Sequence, residues 1–545
     1  MFPSMLGIRP VRSTRVPSND GGRSWHAPTS RLVENDAASR KRGFWLSSCA
    51  AVLAGLLLDA GFPGLNAWPL TLAGVALLLG LLEHAGIRRG SWLGLLSGLA
   101  FYLAHVSWTS EYLGPVPWIA LSVLEALLFA AGAASISAAR KFIEKVWPTP
   151  SASFVLYPVA VGGLWVLREA VAGSWPYGGF AWGRLAYSQS ESPLGPLVAW
   201  VGVPGLSFLL VWAIAVVLAT HRVTSSVTGA VTATVLLALG AAIVPAWETP
   251  SSGEVRVAAV QGDGPAGYFD ARGPGDLLAA QVRATAPVIG EEVDVVIWPE
   301  NSMDEDPLVS AATAATLRDM AERLGAPLLV GAVNERAGRL YNSSIAWSPE
   351  GVEGIYDKAH PVPFGEYVPD REFWSLLAPS LIGLIQRDYE VGRLPPVLQL
   401  DGLRAGVSIC FDIVDDALID QMMNEKAQVI FAQTNNADFG RTDESAQQLA
   451  ITKIRAIQTG RSIVTVSTVG QSQTILPDGT TSQRLAAFKP GVIMDSVPLA
   501  SEDTPATLIG DGIYLLIASL TVAAALATTM DHTARSGVRR SKGAR

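Results

Sequence analysis

Three side chains suited to acyl chemistry stand at the ends of apolar runs. Glu300 closes Val295-Val296-Ile297-Trp298-Pro299-Glu300, where Pro299 lacks a backbone donor and stops a ladder. Cys410 follows Gly406-Val407-Ser408-Ile409 and precedes Phe411-Asp412. Between them, Tyr356-Asp357-Lys358 leads into His360-Pro361-Val362-Pro363-Phe364-Gly365-Glu366. A converging carboxylate, ammonium and thiol make a complete acyl-transfer site. The carboxylate takes the thiol proton, the thiolate attacks a carbonyl, and the ammonium steadies the oxyanion. Each residue also has a plainer reading. A strand-end Cys is more often packed than reactive, Glu300 fits a solvated loop, and Lys358 fits an ordinary surface. Spacing alone does not make the three meet. Cys49 and Cys410 are the only cysteines and lie far apart in different contexts, so no disulfide framework is indicated.

The elements that must position these groups begin near Glu254. Strand-like runs fall at 255–261, 293–298, 328–333, 343–347, 405–410, 429–433 and 463–467. Helix-like stretches lie between them at 276–289, 309–324, 413–426 and 444–460. Such alternation predicts an α/β domain whose sheets are covered by helices, with chemistry at the strand ends. No 20–50-residue period recurs, which argues against a repeat array.

The rest of the chain is a different material. Of 545 residues 49% are hydrophobic and only 16% charged, against roughly a quarter charged in soluble domains. Sixteen Trp and sixteen Phe exclude disorder throughout, and a net charge of −8 gives no support for nucleic-acid binding. Apolar stretches long enough to approach a span of about 20 residues fall at 44–60, 68–82, 92–108, 118–138, 154–171, 197–219, 223–244 and 512–529. Arg and Lys gather before the first stretch, in alternate loops (Arg88, Arg89; Arg140, Lys141, Lys145; Arg222) and after the last. The opposite loops hold almost none apart from Arg184. The positive-inside rule then places both termini in the cytoplasm and the α/β domain outside. The expected order is a basic disordered cytoplasmic tail (1–43), a transmembrane bundle of about seven spans (44–247), a soluble domain (251–505), a closing helix (508–530) and a basic tail (531–545). Glu125, inside the fourth stretch, is expected to face the bundle as a hydrogen-bonded carboxyl, with a substrate role as its alternative. Asp59 and Glu111 fall near interfaces, where solvated charge is ordinary.

With Glu300, Lys358 and Cys410 in this order, residues 254–500 resemble the nitrilase, or carbon–nitrogen hydrolase, superfamily, whose Glu-Lys-Cys triad sits on an αββα sandwich. Within it the chain is similar to the integral membrane branch, the apolipoprotein N-acyltransferases of the bacterial plasma membrane. Spans, an outer nitrilase-like domain and one closing span carry part of that likeness. So do the stretch Lys358 to Pro369, with Val362-Pro363-Phe364-Gly365-Glu366-Tyr367-Val368-Pro369, and the loop from Trp175-Pro176-Tyr177 to Ala186-Tyr187-Ser188-Gln189, followed by Gly195-Pro196-Leu197. The resemblance implies that Glu300 is general base, Lys358 stabilises the transition state, and Cys410 is the acylated nucleophile, with Glu366 and Asp412 in support. It implies ping-pong transfer of a fatty acyl chain from a membrane phospholipid, through a Cys410 thioester, to the α-amine of a diacylglyceryl apolipoprotein. It implies no metal or diffusible cofactor. Two positions depart from the family's pattern. Phe411-Asp412 replaces a common Tyr-Glu, keeping the charge with a methylene less reach. Asp438, in Thr434-Asn435-Asn436-Ala437-Asp438-Phe439-Gly440, stands where an aromatic residue usual to the acyl path is expected.

The run Phe373, Trp374, Leu376, Leu377, Leu381 and Ile382, flanked by Asp370, Arg371 and Glu372, reads either as a buried helix or as an arm dipping into the outer membrane interface. The arm is favoured, since a lipid must reach Cys410 without leaving apolar surroundings. Candidate substrate contacts are therefore Tyr177, Trp182, Phe364, Phe373, Trp374, Phe411 and Asp438. Two other functions fit parts of the pattern: a membrane-tethered amidase that discharges the acyl group to water, and a non-catalytic envelope scaffold. A monomer is the default, because the bundle is able to enclose its own site.

Overall fold

A computed structural model describes residues 29–542, with side chains over 41–530. It divides into two units, Met1–Ser47 and Ser48–Arg545; beyond the helix Thr29–Asp59, all that follows concerns the second. The expected disordered tail lies, for residues 1–28, outside the described residues. From Thr29 the chain is already helical, as part of Thr29–Asp59, because no Gly or Pro interrupts it before Gly43. At the other end, Gly512–Lys542 is one helix that continues past the expected boundary at 530.

Each apolar stretch is helical. Among the described residues five helices are long and apolar enough to cross a membrane: Lys41–Asp59, Pro115–Val146, Ala152–Ala172, Gly195–Thr224 and Gly512–Met530. Trp68–Glu83 and Val227–Ile243 are apolar but shorter. Ile87–His105 gives up hydropathy for a seam of Gly90, Gly94 and Gly98. A methyl group at Gly94 would stand 2.4 Å from the Ala133 Cβ, and one at Gly98 2.9 Å from the Ala126 Cα. This close packing locks the helix to Pro115–Val146. Glu125 is buried there beside Tyr102 and Arg168, in keeping with a carboxyl that faces the bundle.

Twelve strands form the soluble domain: β1 (Ser251–Gln261), β2 (Val295–Ile297), β3 (Leu328–Arg336), β4 (Arg339–Ser348), β5 (Gly351–Asp357), β6 (Val397–Leu400), β7 (Leu403–Ile409), β8 (Val429–Thr434), β9 (Ile463–Ser467), β10 (Gln473–Ile475), β11 (Thr481–Arg484) and β12 (Gly491–Ala500). They make two six-stranded sheets, ordered β12-β1-β2-β3-β4-β5 and β11-β10-β9-β8-β7-β6. In each, a parallel centre (β1-β2-β3 and β7-β8-β9) is flanked by antiparallel strands.

Alternation along the strands decides which face each residue serves. Val257, Ala259, Ile297 and Leu329 join Val407, Ile409, Phe431 and Val464 in one core between the sheets. Their neighbours Ala258, Val260, Val296, Trp298, Leu328 and Val330 pack outward on Leu317, Met320 and Leu324 of Ala311–Leu324. Strands buried on both faces read as continuous apolar runs, so Val295-Val296-Ile297 needed no polar face.

Candidate active site

Glu300, Lys358 and Cys410 leave the carboxyl ends of β2, β5 and β7, and the fold brings them near one another, with Glu300 and Lys358 buried and Cys410 partly so. Glu300 is positioned by a close backbone approach. A side chain at Gly331 would meet the Pro299 carbonyl at 2.4 Å and the Glu300 Cα at 2.6 Å. The turn is tied down where Ser302 N–H donates to the Gly331 carbonyl at 2.9 Å. Cys410 opens the 3₁₀ turn Cys410–Val414 with φ +50°, a left-handed conformation that a non-glycine residue holds only under constraint.

Lys358 Nζ lies 3.2 Å from Glu300 Oε1 and 2.9 Å from Glu366 Oε2. Asn342 Nδ2 donates to both carboxylates, at 2.7 and 3.0 Å, and Val362 N–H donates to Glu366 at 2.7 Å. Burial is the largest influence on Glu300 and pushes its carboxyl up. The Glu366 charge adds to this, while Lys358 and Asn342 offset only part. Burial also opposes ionisation of Glu366, but Lys358, Val362 N–H and Arg387 outweigh it and hold that carboxyl below its ordinary value. For Lys358 burial works against the ammonium, and the two carboxylates more than reverse it. Burial drives the Cys410 thiol well above its usual range, with Glu300 adding and Lys358 countering. Of the two carboxylates that hold Lys358, Glu300 is therefore the one of higher proton affinity.

Asp412 is fully buried. It accepts from Tyr356 Oη at 2.8 Å, His360 N–H at 2.9 Å and Ile409 N–H at 3.2 Å. The shorter acid thus clamps the turn after Cys410 to the segment after Lys358. Phe411 stacks on Trp182 (6.1 Å, 5°) and Phe180 (5.8 Å, 17°). Trp182 is buried, and its indole N–H shares Gln447 Oε1 with that of Trp108, at 2.7 and 3.1 Å.

Tyr177, Phe364 and Trp374 form a second cluster, with Tyr177 Oη donating to Asp370 at 2.9 Å and Phe364 edge-on to Trp374 at 5.3 Å. Phe373 is exposed beside them, as are Leu376 and Leu377, 83% and 64% accessible. Phe373, Leu376 and Leu377 ride on Arg371–Leu377, which is not a buried helix, while Leu381 and Ile382 follow on Pro379–Ile382, where Ile382 is buried. Asp438 is half-buried. Its carboxylate accepts from Tyr268 N–H at 2.6 Å beside Arg387, and the next residue, Phe439, sits edge-on to Trp108 at 4.9 Å.

Sequence reasoning missed Asn342, Gln448, Asn436 and Glu444. Gln448 Nε2 stands 3.6 Å from Cys410 Sγ, and Asn436 joins it to Glu444. An Asn within the otherwise strand-forming run Tyr341-Asn342-Ser343-Ser344-Ile345 was the available signal, since Asn is depleted in strands.

Residues 54–216 match the family model of the apolipoprotein N-acyltransferase N-terminal domain, and residues 256–504 that of carbon–nitrogen hydrolases. With the helical bundle and the two-sheet α/β domain, these matches define an acyltransferase of the nitrilase superfamily in a membrane protein. An apolipoprotein N-acyltransferase of Mycolicibacterium smegmatis is 32% identical over 500 residues, covering 85% of this chain and 81% of that one. One from Azotobacter vinelandii is 28% identical over 481 residues, covering 85% and 91%. An amidase structure from Nesterenkonia aligns with 47% of this chain and 94% of its own, at 18% identity and a TM-score of 0.35. The chain belongs to the apolipoprotein N-acyltransferase family.

Proposed function

We propose that this protein moves a fatty acyl chain from a membrane phospholipid to the α-amine of a diacylglyceryl-cysteine at an apolipoprotein N-terminus, through a thioester on Cys410. The carrying observation is the buried Glu300–Lys358–Glu366 cluster set against Cys410 in a chain of this family. Glu300 takes the thiol proton as sulfur attacks the ester carbonyl, and Lys358 faces the developing oxyanion. The C–O bond breaks, and Glu300 returns the proton to the leaving lysophospholipid alkoxide. The amine then attacks the thioester, the C–S bond breaks, and the proton lost by nitrogen passes through Glu300 to sulfur. Both termini face the cytoplasm and the α/β domain lies outside, as the distribution of Arg and Lys supports. Each copy carries its own complete site, which supports a working monomer.

Intact-protein mass spectrometry after incubation with phospholipid tests this. Wild-type enzyme is expected to gain one hydroxylamine-sensitive fatty acyl group that a diacylated lipopeptide discharges, and Cys410→Ala to gain none. Discharge by water alone would convert the assignment to a hydrolase.

The exposed leucines of Arg371–Leu377 carry a second expectation. In an interfacial arm, Leu376 and Leu377 each bury apolar area worth about 1.5–3 kcal/mol. The double variant Leu376→Asp/Leu377→Asp should acylate from phospholipid vesicles at least about tenfold more slowly. Its rate with a short-chain, water-soluble ester should stay unchanged. An equal loss on both substrates would speak against interfacial docking.

A further inference from the structure

Glu300, Lys358, Glu366 and Glu444 all act electrostatically on Cys410. The first three belong to the cluster already described. Glu444 does not, and it leads through Asn436 to Gln448 beside the sulfur. It opens the helix Glu444–Thr459 and is buried, as are Gln448 and Asn436. Glu444 and Gln448 stand four residues apart, so helical pitch turns both to one face. Gln447 points elsewhere, into the Trp108 and Trp182 indoles.

A carboxamide has two ends, and the structure leaves Gln448 no choice between them. Its Oε1 accepts from Asn436 Nδ2 at 3.1 Å, which turns Nε2 to Cys410 Sγ at 3.6 Å. Asn436 is fixed in turn, because its Oδ1 accepts from Thr434 Oγ1 at 3.0 Å and Ser467 Oγ at 2.6 Å. Its Nδ2 also donates to Glu444 Oε2 at 2.7 Å. Two hydroxyl donors therefore decide which end of Asn436 faces Gln448, and Asn436 decides which end of Gln448 faces the sulfur; the Glu444 carboxyl that accepts from Asn436 Nδ2 is pushed up to about 8 by burial.

We propose that Gln448 is a further catalytic residue, donating an N–H to Cys410 sulfur whenever the sulfur carries negative charge, and that Asn436 and Glu444 are its positioning residues. The proposal rests on Cys410 being the nucleophile. Sulfur becomes anionic twice in the cycle: when its proton moves to Glu300, and when the C–S bond of the thioester breaks and the electron pair returns to it. A fixed N–H aimed at the sulfur stabilises both and costs no reorganisation at the moment of reaction. Burial disfavours the thiolate, so a donor held 3.6 Å from the sulfur meets a real deficit.

The test reads the sulfur directly. In full-length enzyme with Cys49→Ser removing the other thiol, the rate of Cys410 alkylation by iodoacetamide is followed against pH. Gln448→Met keeps the length of the side chain without the N–H, and Gln448→Glu keeps its size and puts an acceptor there. Both should move the alkylation midpoint upward by about one to two pH units, the range for a lost hydrogen bond to a charged group. Asn436→Ala should move it in the same direction by less. An unchanged midpoint in either Gln448 variant, with a wild-type unfolding transition, overturns the proposal and leaves Gln448 a packing residue. Alkylation needs no lipid. A shifted midpoint in an enzyme that never takes up an acyl group would uphold the hydrogen bond while removing the nucleophile assignment.

Discussion

Replacement of Lys358 by methionine is expected to slow acyl-enzyme formation by about a thousandfold or more and to cost about 3–5 kcal/mol of stability. The two effects have one cause. Lys358 is 1% exposed and sits between two carboxylates, 3.2 Å from Glu300 and 2.9 Å from Glu366. Methionine fills much of the same volume, so little of the loss is cavity. What goes is the charge that lets two buried acids coexist. Without it, neighbouring carboxylates cannot both ionise, and the site takes up a proton. Burial already pushes Glu300 up, so that proton settles on the base, and the Cys410 thiol has nowhere to send its own. The oxyanion loses its cation in the same substitution. Lys358→Arg should fare no better, because a planar guanidinium does not fit a slot shaped around one ammonium. Acyl uptake by mass spectrometry reads the first effect and denaturant unfolding at neutral pH the second. Acylation at near wild-type rate in Lys358→Met would remove this residue from the chemistry.

The sequence marked Glu300, Lys358 and Cys410 as candidates but not their surroundings, and the difference is physical. Glu300 and Cys410 end apolar runs, and a strand end is a local feature visible in a few residues. The strands that were missed lack that contrast. β12 contains Pro498, which argues against a strand, yet β12 is an edge of its sheet, where a missing N–H is tolerated. β5 begins at Gly351 and contains Gly354, so its apolar alternation is faint. Gln448 and Asn436 depend on where a helix and a loop meet after folding. No spacing announces that a glutamine on Glu444–Thr459 will face a sulfur 38 residues earlier.

The two departures from the family's pattern were legible as residues and not as roles. Asp412 has a methylene less reach than glutamate, and its acceptors are filled by groups within its own reach: Tyr356, His360 and Ile409. Asp438, a candidate substrate contact at a position where an aromatic residue is usual, accepts from Tyr268 N–H, while Phe439 beside it packs on Trp108. The exposed run of Phe373, Leu376 and Leu377 shows the converse. Composition alone allowed a buried helix, and only tertiary packing decided against it.

Asp416→Asn is expected to destabilise the protein by about 3–5 kcal/mol at pH 7, and the loss should shrink as the pH is lowered below about 4. Arg184 looked anomalous as a nearly isolated cation in the outer loops. It is not a solvated charge. It is buried, and its guanidinium donates to Asp416 Oδ2 at 2.6 Å. Arg455, fully buried, donates to Asp416 Oδ1 at 2.7 Å, and Tyr514 Oη donates to Asp416 at 3.2 Å. One carboxylate thus joins the loop 173–197, the helix Glu444–Thr459 and the closing helix Gly512–Lys542. Burial opposes its ionisation, but the two guanidiniums outweigh burial and hold the carboxyl well below the usual range. A depressed folded-state value means that its contribution is fully present above the unfolded carboxylate value, about 3.9, and is lost as pH falls through the folded one. Asparagine keeps the shape and removes the charge, leaving two buried cations facing each other. Denaturant unfolding of both proteins across pH 3–7 should show curves that converge on the acid side; a constant gap would mean that shape, not charge, is what Asp416 supplies. Arg455 also donates to the Ile413 and Val414 carbonyls, at 3.0 and 2.7 Å, inside the turn that begins with Cys410. Releasing it should therefore slow acylation even in the fraction that remains folded, because the nucleophile's left-handed backbone is held from that side.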